Sequence, residues 1–286
     1  MTISDIKTIG VAGAGTMGAG IAQVSAMAGY NVILFDVQEE ALKKAASIIA
    51  NNLDGAIKRG KIDDGAKAQI LSRISYSTNI TDLIGQIIIE AIIENLEIKL
   101  ELFSKIASNN TADTILASNT STIPITQIAA GIENPERVVG MHFFNPVHIM
   151  KLVEVISGAK TSAQNQETVK QLAEKLGKKA VYAKDAPGFI VNRVARHFYV
   201  ESLKVAEDGV ADFESIDKLV RSIGFKMGPF QLMDLIGVDT NYSVTESMYN
   251  LFNQDSKFRP NRIQKQKVDA GEIGRKSGKG FYDYSE

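Results

Sequence analysis

The chain has 286 residues, 44% of them hydrophobic, with 32 lysines and arginines against 33 aspartates and glutamates. That length can bury a sizeable core in one or two domains, and a charge this balanced, with no basic face or tail, argues against a nucleic-acid partner. The absence of cysteine excludes disulfides, thiol catalysis and thiolate metal ligands, and no metal site is expected. No apolar run reaches about 18 residues and no secretory leader precedes the first strand, so no membrane association and a reducing, cytoplasmic location are expected.

Residues 8–12 read as a short buried strand that runs into Gly13-Ala14-Gly15-Thr16-Met17-Gly18, a GxGxxG. Ile21, Val24 and Met27 follow at helical spacing, the pattern ends at Gly29, and a second strand, residues 32–35, closes on Asp36. Strand, glycine turn, helix, strand and acid in this order predict a dinucleotide site. One glycine permits the tight turn, another lets the backbone approach a pyrophosphate, and the third lets helix and strand pack closely. The anion would rest on free N–H groups at the helix N-terminus. Asp36 would accept hydrogen bonds from the adenosine ribose and repel a 2′-phosphate, and no arginine follows within several residues, which favours NAD over NADP. The competing reading is a tight glycine turn between ordinary elements.

An amphipathic helix over residues 39–59 ends in Lys58-Arg59-Gly60-Lys61, and a shorter helix spans 63–71. This inserted hairpin can overhang a site. Its basic turn is either a phosphate contact for a large substrate or a solvated surface. A buried strand at 87–91 is followed by Glu94 and a helix to about residue 107. Another strand, 114–117, leads into Ser118-Asn119-Thr120-Ser121-Thr122, five polar residues where open α/β sheets place ligands. Ser121 fits that use, and it also fits a helix cap shortly before Pro124. Strands follow at Met141-His142-Phe143 and at 152–156, then a helix at 163–176 and a strand at 180–183. Lys184-Asp185-Ala186-Pro187-Gly188 breaks the alternation. Beyond it lie helices at 189–208, 212–223, 238–253 and 261–270, with a further segment opened by Gly228-Pro229. The expected fold is α/β: a Rossmann-type, mostly parallel sheet with an inserted helical hairpin over residues 1–186, then an all-α C-terminal domain over 187–286. Helices with that much apolar face need a partner surface, and a homodimer is expected.

A dinucleotide site that moves hydride needs a group to move the proton, and histidine is suited to this near neutral pH. Of the three histidines, His197 lies in a helical run and reads as surface or packing. His148 follows Pro146 in a loop with no evident orienting acid. His142 sits mid-strand, with Glu154 one strand over. The spacing fits an oriented general base, and it fits a satisfied core histidine equally.

Ala117-Ser118-Asn119-Thr120-Ser121, Met141-His142-Phe143-Phe144-Asn145-Pro146, Met150-Lys151-Leu152-Val153-Glu154-Val155 and Pro187-Gly188-Phe189-Ile190-Val191-Asn192-Arg193 resemble the signatures of the 3-hydroxyacyl-CoA dehydrogenases. Met227-Gly228-Pro229-Phe230 and Gly274-Arg275-Lys276-Ser277-Gly278-Lys279-Gly280-Phe281-Tyr282 fit as well. The resemblance runs from the glycine loop to the C-terminus, and the stand-alone length is similar to the short bacterial type, which acts on 3-hydroxybutyryl-CoA and acetoacetyl-CoA in fatty acid or butanoate metabolism.

The resemblance implies that His142 is the general acid/base, that Glu154 pairs with its other ring nitrogen, and that Ser121 and Asn192 position the substrate oxygen. It implies that Asp36, Glu94, Lys99, Asn119 and Lys276, with the glycine loop, line the NAD site, and that Arg59 lies near the CoA nucleotide. It also implies that His142 faces a cleft between the two halves. Two positions depart from the family pattern. His148 stands where a small residue or proline is usual, and the segment Asn261 to Lys267 is more polar than the pattern would have it. A related dehydrogenase of a small hydroxy acid or sugar acid without CoA, and a non-catalytic relative that keeps the fold, are the rival readings.

Overall fold

Thr8–Ala12 (β1) is an interior strand, third in order, of an eight-stranded sheet. Ile9 and Val11 are β-branched and wholly buried, as expected for a strand covered on both faces. The computed structural model describes residues 1–285. In it the chain forms two compact units that divide between Ala186 and Pro187. No helix among the described residues is long and apolar enough to cross a membrane.

In the first unit β1 leads to α1 (Thr16–Met27), β2 (Asn31–Phe35), α2 (Glu39–Lys58), α3 (Asp64–Ser72), β3 (Ile74–Ser77), β4 (Ile87–Glu90), α4 (Leu96–Asn109) and β5 (Ile115–Ser118). Then come α5 (Ile125–Ala130), β6 (Val138–Phe143), β7 (Leu152–Ser157), α6 (Ala163–Lys175) and β8 (Lys179–Lys184). The strand order is β3-β2-β1-β4-β5-β6-β7-β8. Neighbours are parallel from β3 to β6 and again between β7 and β8, whereas β7 runs antiparallel to β6. The order reverses between β1 and β4, the switch point at which doubly wound sheets bind ligands outside the carboxyl ends of their strands. The glycine loop, Asp36, Glu90 and Ser118 all stand at that edge.

The α2–α3 hairpin is the crossover from β2 to β3. β3 itself was not among the strands predicted from the sequence. It is a sheet-edge strand reading Ile-Ser-Tyr-Ser with only Ile74 buried, so it carries neither an apolar run nor a strong alternation. Helix starts expected at 63, 212 and 261 shift by one residue. Asp63, Asp212 and Asn261 are N-caps, each accepting a backbone N–H from the first turn.

The second unit is helical: α7 (Val191–Glu207), α8 (Phe213–Ser222), α9 (Pro229–Ile236), α10 (Val238–Leu251) and α11 (Arg262–Asp269). Phe213, Phe230 and Phe281 pack ring on ring with centroids 4.6–5.1 Å apart. Two buried aspartates organise its sequence motifs. Asp217 accepts Phe230 N and Gln231 N at 3.0 and 2.9 Å, capping α9, and a Cβ on Gly228 would lie 2.2 Å from its Oδ1. Asp234 accepts Phe281 N and Tyr282 N at 2.9 and 3.0 Å, and a Cβ on Gly280 would lie 2.1 Å from it. Those two glycines are therefore required by carboxylates distant in sequence.

Candidate active site

The three glycines after β1 do three different things. Gly13 has φ 103° and a Cβ there would sit 2.6 Å from Ala91 O, so the turn requires glycine. A Cβ on Gly18 would lie 1.7 Å from Gly13 O, which forbids any side chain where α1 meets the loop. A Cβ on Gly15 would meet nothing within 4 Å. Gly15 is the N-cap of α1 and makes no side-chain cap bond. Its open surface beside the first N–H groups of a helix fits a pyrophosphate approaching the backbone. Ala14 is buried, Thr16 is exposed and Met17 half-buried. Asp36 is tied to this loop: its Oδ2 accepts Ala14 N at 2.8 Å and its Oδ1 accepts Gln38 N at 2.9 Å. A carboxylate held at the end of β2 is where a ribose diol would be met. The residues present fit a dinucleotide.

The polar loop after β5 closes on Glu94. Glu94 Oε1 accepts Thr120 Oγ1 at 2.6 Å, Ser121 N at 2.9 Å, Thr122 N at 3.1 Å, Thr122 Oγ1 at 3.2 Å and Ser121 Oγ at 3.3 Å. Its Oε2 lies 3.2 Å from Lys99 Nζ. Burial pushes the Glu94 carboxyl up, but the Lys99 ammonium and these hydrogen bonds outweigh it and hold the group below the usual carboxylate range. The alternative use of Ser121 as a helix cap is corrected here. The N-cap of α5 is Pro124, and Asp185 accepts Ile125 N and Thr126 N, both at 2.7 Å. An acid 60 residues away does the capping, so Ser121 is turned to Glu94 instead.

Lys99 is 1% exposed and bridges Glu94 to Glu90 (Nζ to Oε1, 2.5 Å), which is fully buried. In the sequence Glu90 shows only as part of the buried strand at 87–91. Its signal is an acid ending the run Ile87-Ile88-Ile89, nine residues before a lysine. Asn119 lies between β5 and β6: Phe143 N donates to its Oδ1 at 2.9 Å.

His142 and Glu154 are register partners on β6 and β7. Their side chains meet at 2.7 Å, Nδ1 to Oε2, with His142 5% and Glu154 0% exposed. The Phe144 ring lies 4.5 Å from the imidazole, tilted by 53°. A carboxylate accepting from Nδ1–H fixes the ring and its tautomer, and it makes Nε2 the nitrogen that exchanges a proton.

Arg59 is exposed at the C-terminal cap of α2 and folds back towards Gly55, whose Cβ would lie 3.3 Å from Nη1. His148 is half-buried, and burial together with the nearby cations Lys178 and Arg59 pushes its imidazole down. The basic turn and the unexpected histidine thus share one electropositive region. Asn192 lies in the first turn of α7, and Lys276 pairs with Asp239 at 2.7 Å, both within the helical unit. His197 is exposed, its ring 5.3 Å from that of Phe258.

The family model for the 3-hydroxyacyl-CoA dehydrogenase NAD binding domain matches residues 8–186, and that for the C-terminal domain matches 188–284. A 3-hydroxyadipyl-CoA dehydrogenase of Escherichia coli is 45% identical over 98% of this chain, which spans only 59% of that relative's length. A probable 3-hydroxybutyryl-CoA dehydrogenase of Bacillus subtilis is 44% identical over 99% of both chains. The crystal structure of (S)-3-hydroxybutyryl-CoA dehydrogenase from Ralstonia eutropha is similar with TM-score 0.93 and 41% identity, covering 99% of this chain and 100% of that one.

Proposed function

The chain belongs to the 3-hydroxyacyl-CoA dehydrogenase family, and from that premise we propose that it interconverts short-chain (S)-3-hydroxyacyl-CoA and 3-ketoacyl-CoA with NAD. The observation that carries the reading is the buried His142–Glu154 pair, at 2.7 Å. NAD, when bound, supplies the hydride acceptor at its nicotinamide. In the oxidative direction His142 Nε2 takes the proton of the 3-hydroxyl. In the reductive direction a protonated His142 returns it to the 3-keto oxygen. Glu154 orients the ring and balances the imidazolium.

Ser121 and Asn192 position the substrate oxygen, Asn192 on the strength of the resemblance alone. The glycine loop, Asp36, Glu94, Lys99, Asn119 and Lys276 are assigned to the cofactor. Arg59 is assigned to the CoA phosphates, a role its electropositive surroundings favour. NAD rather than NADP follows from the negative charge of Asp36. The first unit is assigned to the cofactor and the helical unit to substrate and dimerisation. Val194, Leu219, Ile223 and Phe225 are each more than half exposed on the helical unit, which supports a homodimer. A monomer mass by light scattering at micromolar concentration would overturn that part.

The test is reduction of acetoacetyl-CoA against free acetoacetate, with NADH and with NADPH. Turnover restricted to the CoA ester with NADH is expected. Faster turnover of the free acid would favour a small hydroxy acid dehydrogenase, and NADH binding without turnover a non-catalytic relative. The Escherichia coli relative's name points to a second acyl class, a dicarboxylic 3-hydroxyacyl group. A 3-ketoadipyl-CoA arm in the same assay separates it from the short chain.

A further inference from the structure

We propose that Glu90 is a positioning residue for this reaction, the common anchor that sets the direction of the Ser121 hydroxyl. The proposal rests on the reading of Ser121 given above. Glu90 ends β4 and is fully buried, so it touches neither solvent nor ligand. Its carboxylate nevertheless holds every segment that converges on Ser121. Oε1 accepts Lys99 Nζ at 2.5 Å and Ile92 N at 2.8 Å. Oε2 accepts Ser118 Oγ at 2.6 Å. The Ile92 bond fixes the turn that carries Glu94. The Lys99 ammonium passes the constraint to Glu94 Oε2 at 3.2 Å. The Ser118 bond fixes the start of the loop that ends at Thr122.

Glu94 and the loop then meet at Ser121, through Ser121 N at 2.9 Å and Ser121 Oγ at 3.3 Å. The far side of the same loop is pinned to the His142 strand by Asn119 Oδ1 and Phe143 N at 2.9 Å. Proton-exchanging strand and substrate-facing serine are thereby held in one frame.

Lys99 serves the cofactor site assigned to it above through Glu94, which it holds, and not by direct contact. It is 1% exposed, and its ammonium is committed to two carboxylates. One cation between two carboxylates leaves an excess negative charge, and this is spread over the hydroxyl and amide donors of residues 92, 118 and 120–122. A buried set of this kind is costly, and an apolar set of similar volume is often no less stable. Its yield is geometry, because removing any one member releases the direction of the others.

The experiment is a double-mutant cycle on acetoacetyl-CoA reduction, with Glu90→Gln, Ser121→Ala and the double variant compared at a temperature where all are folded by circular dichroism. If Glu90 acts through Ser121, Glu90→Gln lowers kcat by about 10-fold or more beside Ser121 and by less than about 2-fold beside Ala at that position. A residue that merely supports the fold gives losses that multiply, and that result, or an unchanged kcat in Glu90→Gln, overturns the positioning role. Should Glu90→Gln fail to fold, Ser118→Ala enters the same cycle, with a loss of about 3-fold or more expected beside Ser121 and none beside Ala. Multiplying losses there overturn the role equally. If the unmodified protein does not reduce acetoacetyl-CoA, the reading of the site itself falls and the positioning role falls with it. An active enzyme whose losses multiply removes the positioning role alone.

Discussion

His142 and Glu154 face each other across one antiparallel strand pair, imidazole Nδ1 2.7 Å from carboxylate Oε2, in the only antiparallel step of the sheet among the described residues. The alternation of side chains along a strand places both on the same face. A slip of one residue in this register would send them to opposite faces.

His142→Gln is expected to lower kcat by about 10²–10⁴-fold, the usual range for a lost general acid/base. NADH affinity, read by fluorescence titration, should change little. Glu154→Gln should also be severe, because it removes the charge that balances an imidazolium. Turnover close to that of the unmodified protein in His142→Gln would defeat the assignment.

Asp36 holds Ala14 N and Gln38 N and is read as the group that repels a 2′-phosphate. Asp36→Ser should narrow the preference for NADH over NADPH by at least about 10-fold, equivalent to about 1.4 kcal/mol. Steady-state kinetics with both cofactors decides it. An unchanged ratio would place the discrimination elsewhere.

Glu94 sits below the usual carboxylate range in the folded protein. An acid whose folded pKa is lowered contributes stability above its unfolded pKa, about 4.3, and loses it as pH falls through the lower folded value. Glu94→Gln should therefore melt below the unmodified protein at pH 7, and the gap should close as the pH drops below about 4. A gap in Tm that stays constant to low pH would contradict the stabilised carboxylate.

Arg196 is a buried cation with no carboxylate paired to it among the described residues. Its Nη1 donates to Asn241 O, Asn241 Oδ1 and Thr245 Oγ1 at 2.8–3.1 Å, while Nε has no partner among the described residues. Burial lowers the guanidinium from its ordinary value to about 10, so the charged form is held at a cost at neutral pH. Asn241 O also accepts Thr245 Oγ1, and Asn241 Oδ1 also accepts Gln264 Nε2. Arg196→Met therefore strands no acceptor. It is expected to be neutral or stabilising, by up to about 1–4 kcal/mol in chemical denaturation. A loss of more than about 1 kcal/mol would show that the guanidinium supports the helical unit.

Local chemistry in the chain determined a great deal: the alternation of strand and helix up to Lys184, the three glycines and Asp36, the polar loop at Ser118–Thr122, the break at Pro187. Each is legible because turns, caps and hydrophobic periods are set by residues near one another in sequence. The resemblance added the roles proposed for Ser121, His142, Glu154 and Asn192. Tertiary structure alone decided the rest. β3 exists because β2 offers it an edge, not because its own residues demand a strand. Ser121 is freed from capping because Asp185 takes that task. Gly228 and Gly280 are required by Asp217 and Asp234. Glu90, read in sequence as the end of an apolar strand, is a buried hub for Lys99, Ile92 and Ser118. In every one of these cases the deciding contact joins residues brought together by strand pairing or helix packing, and no local period records which distant partner a buried polar group will find.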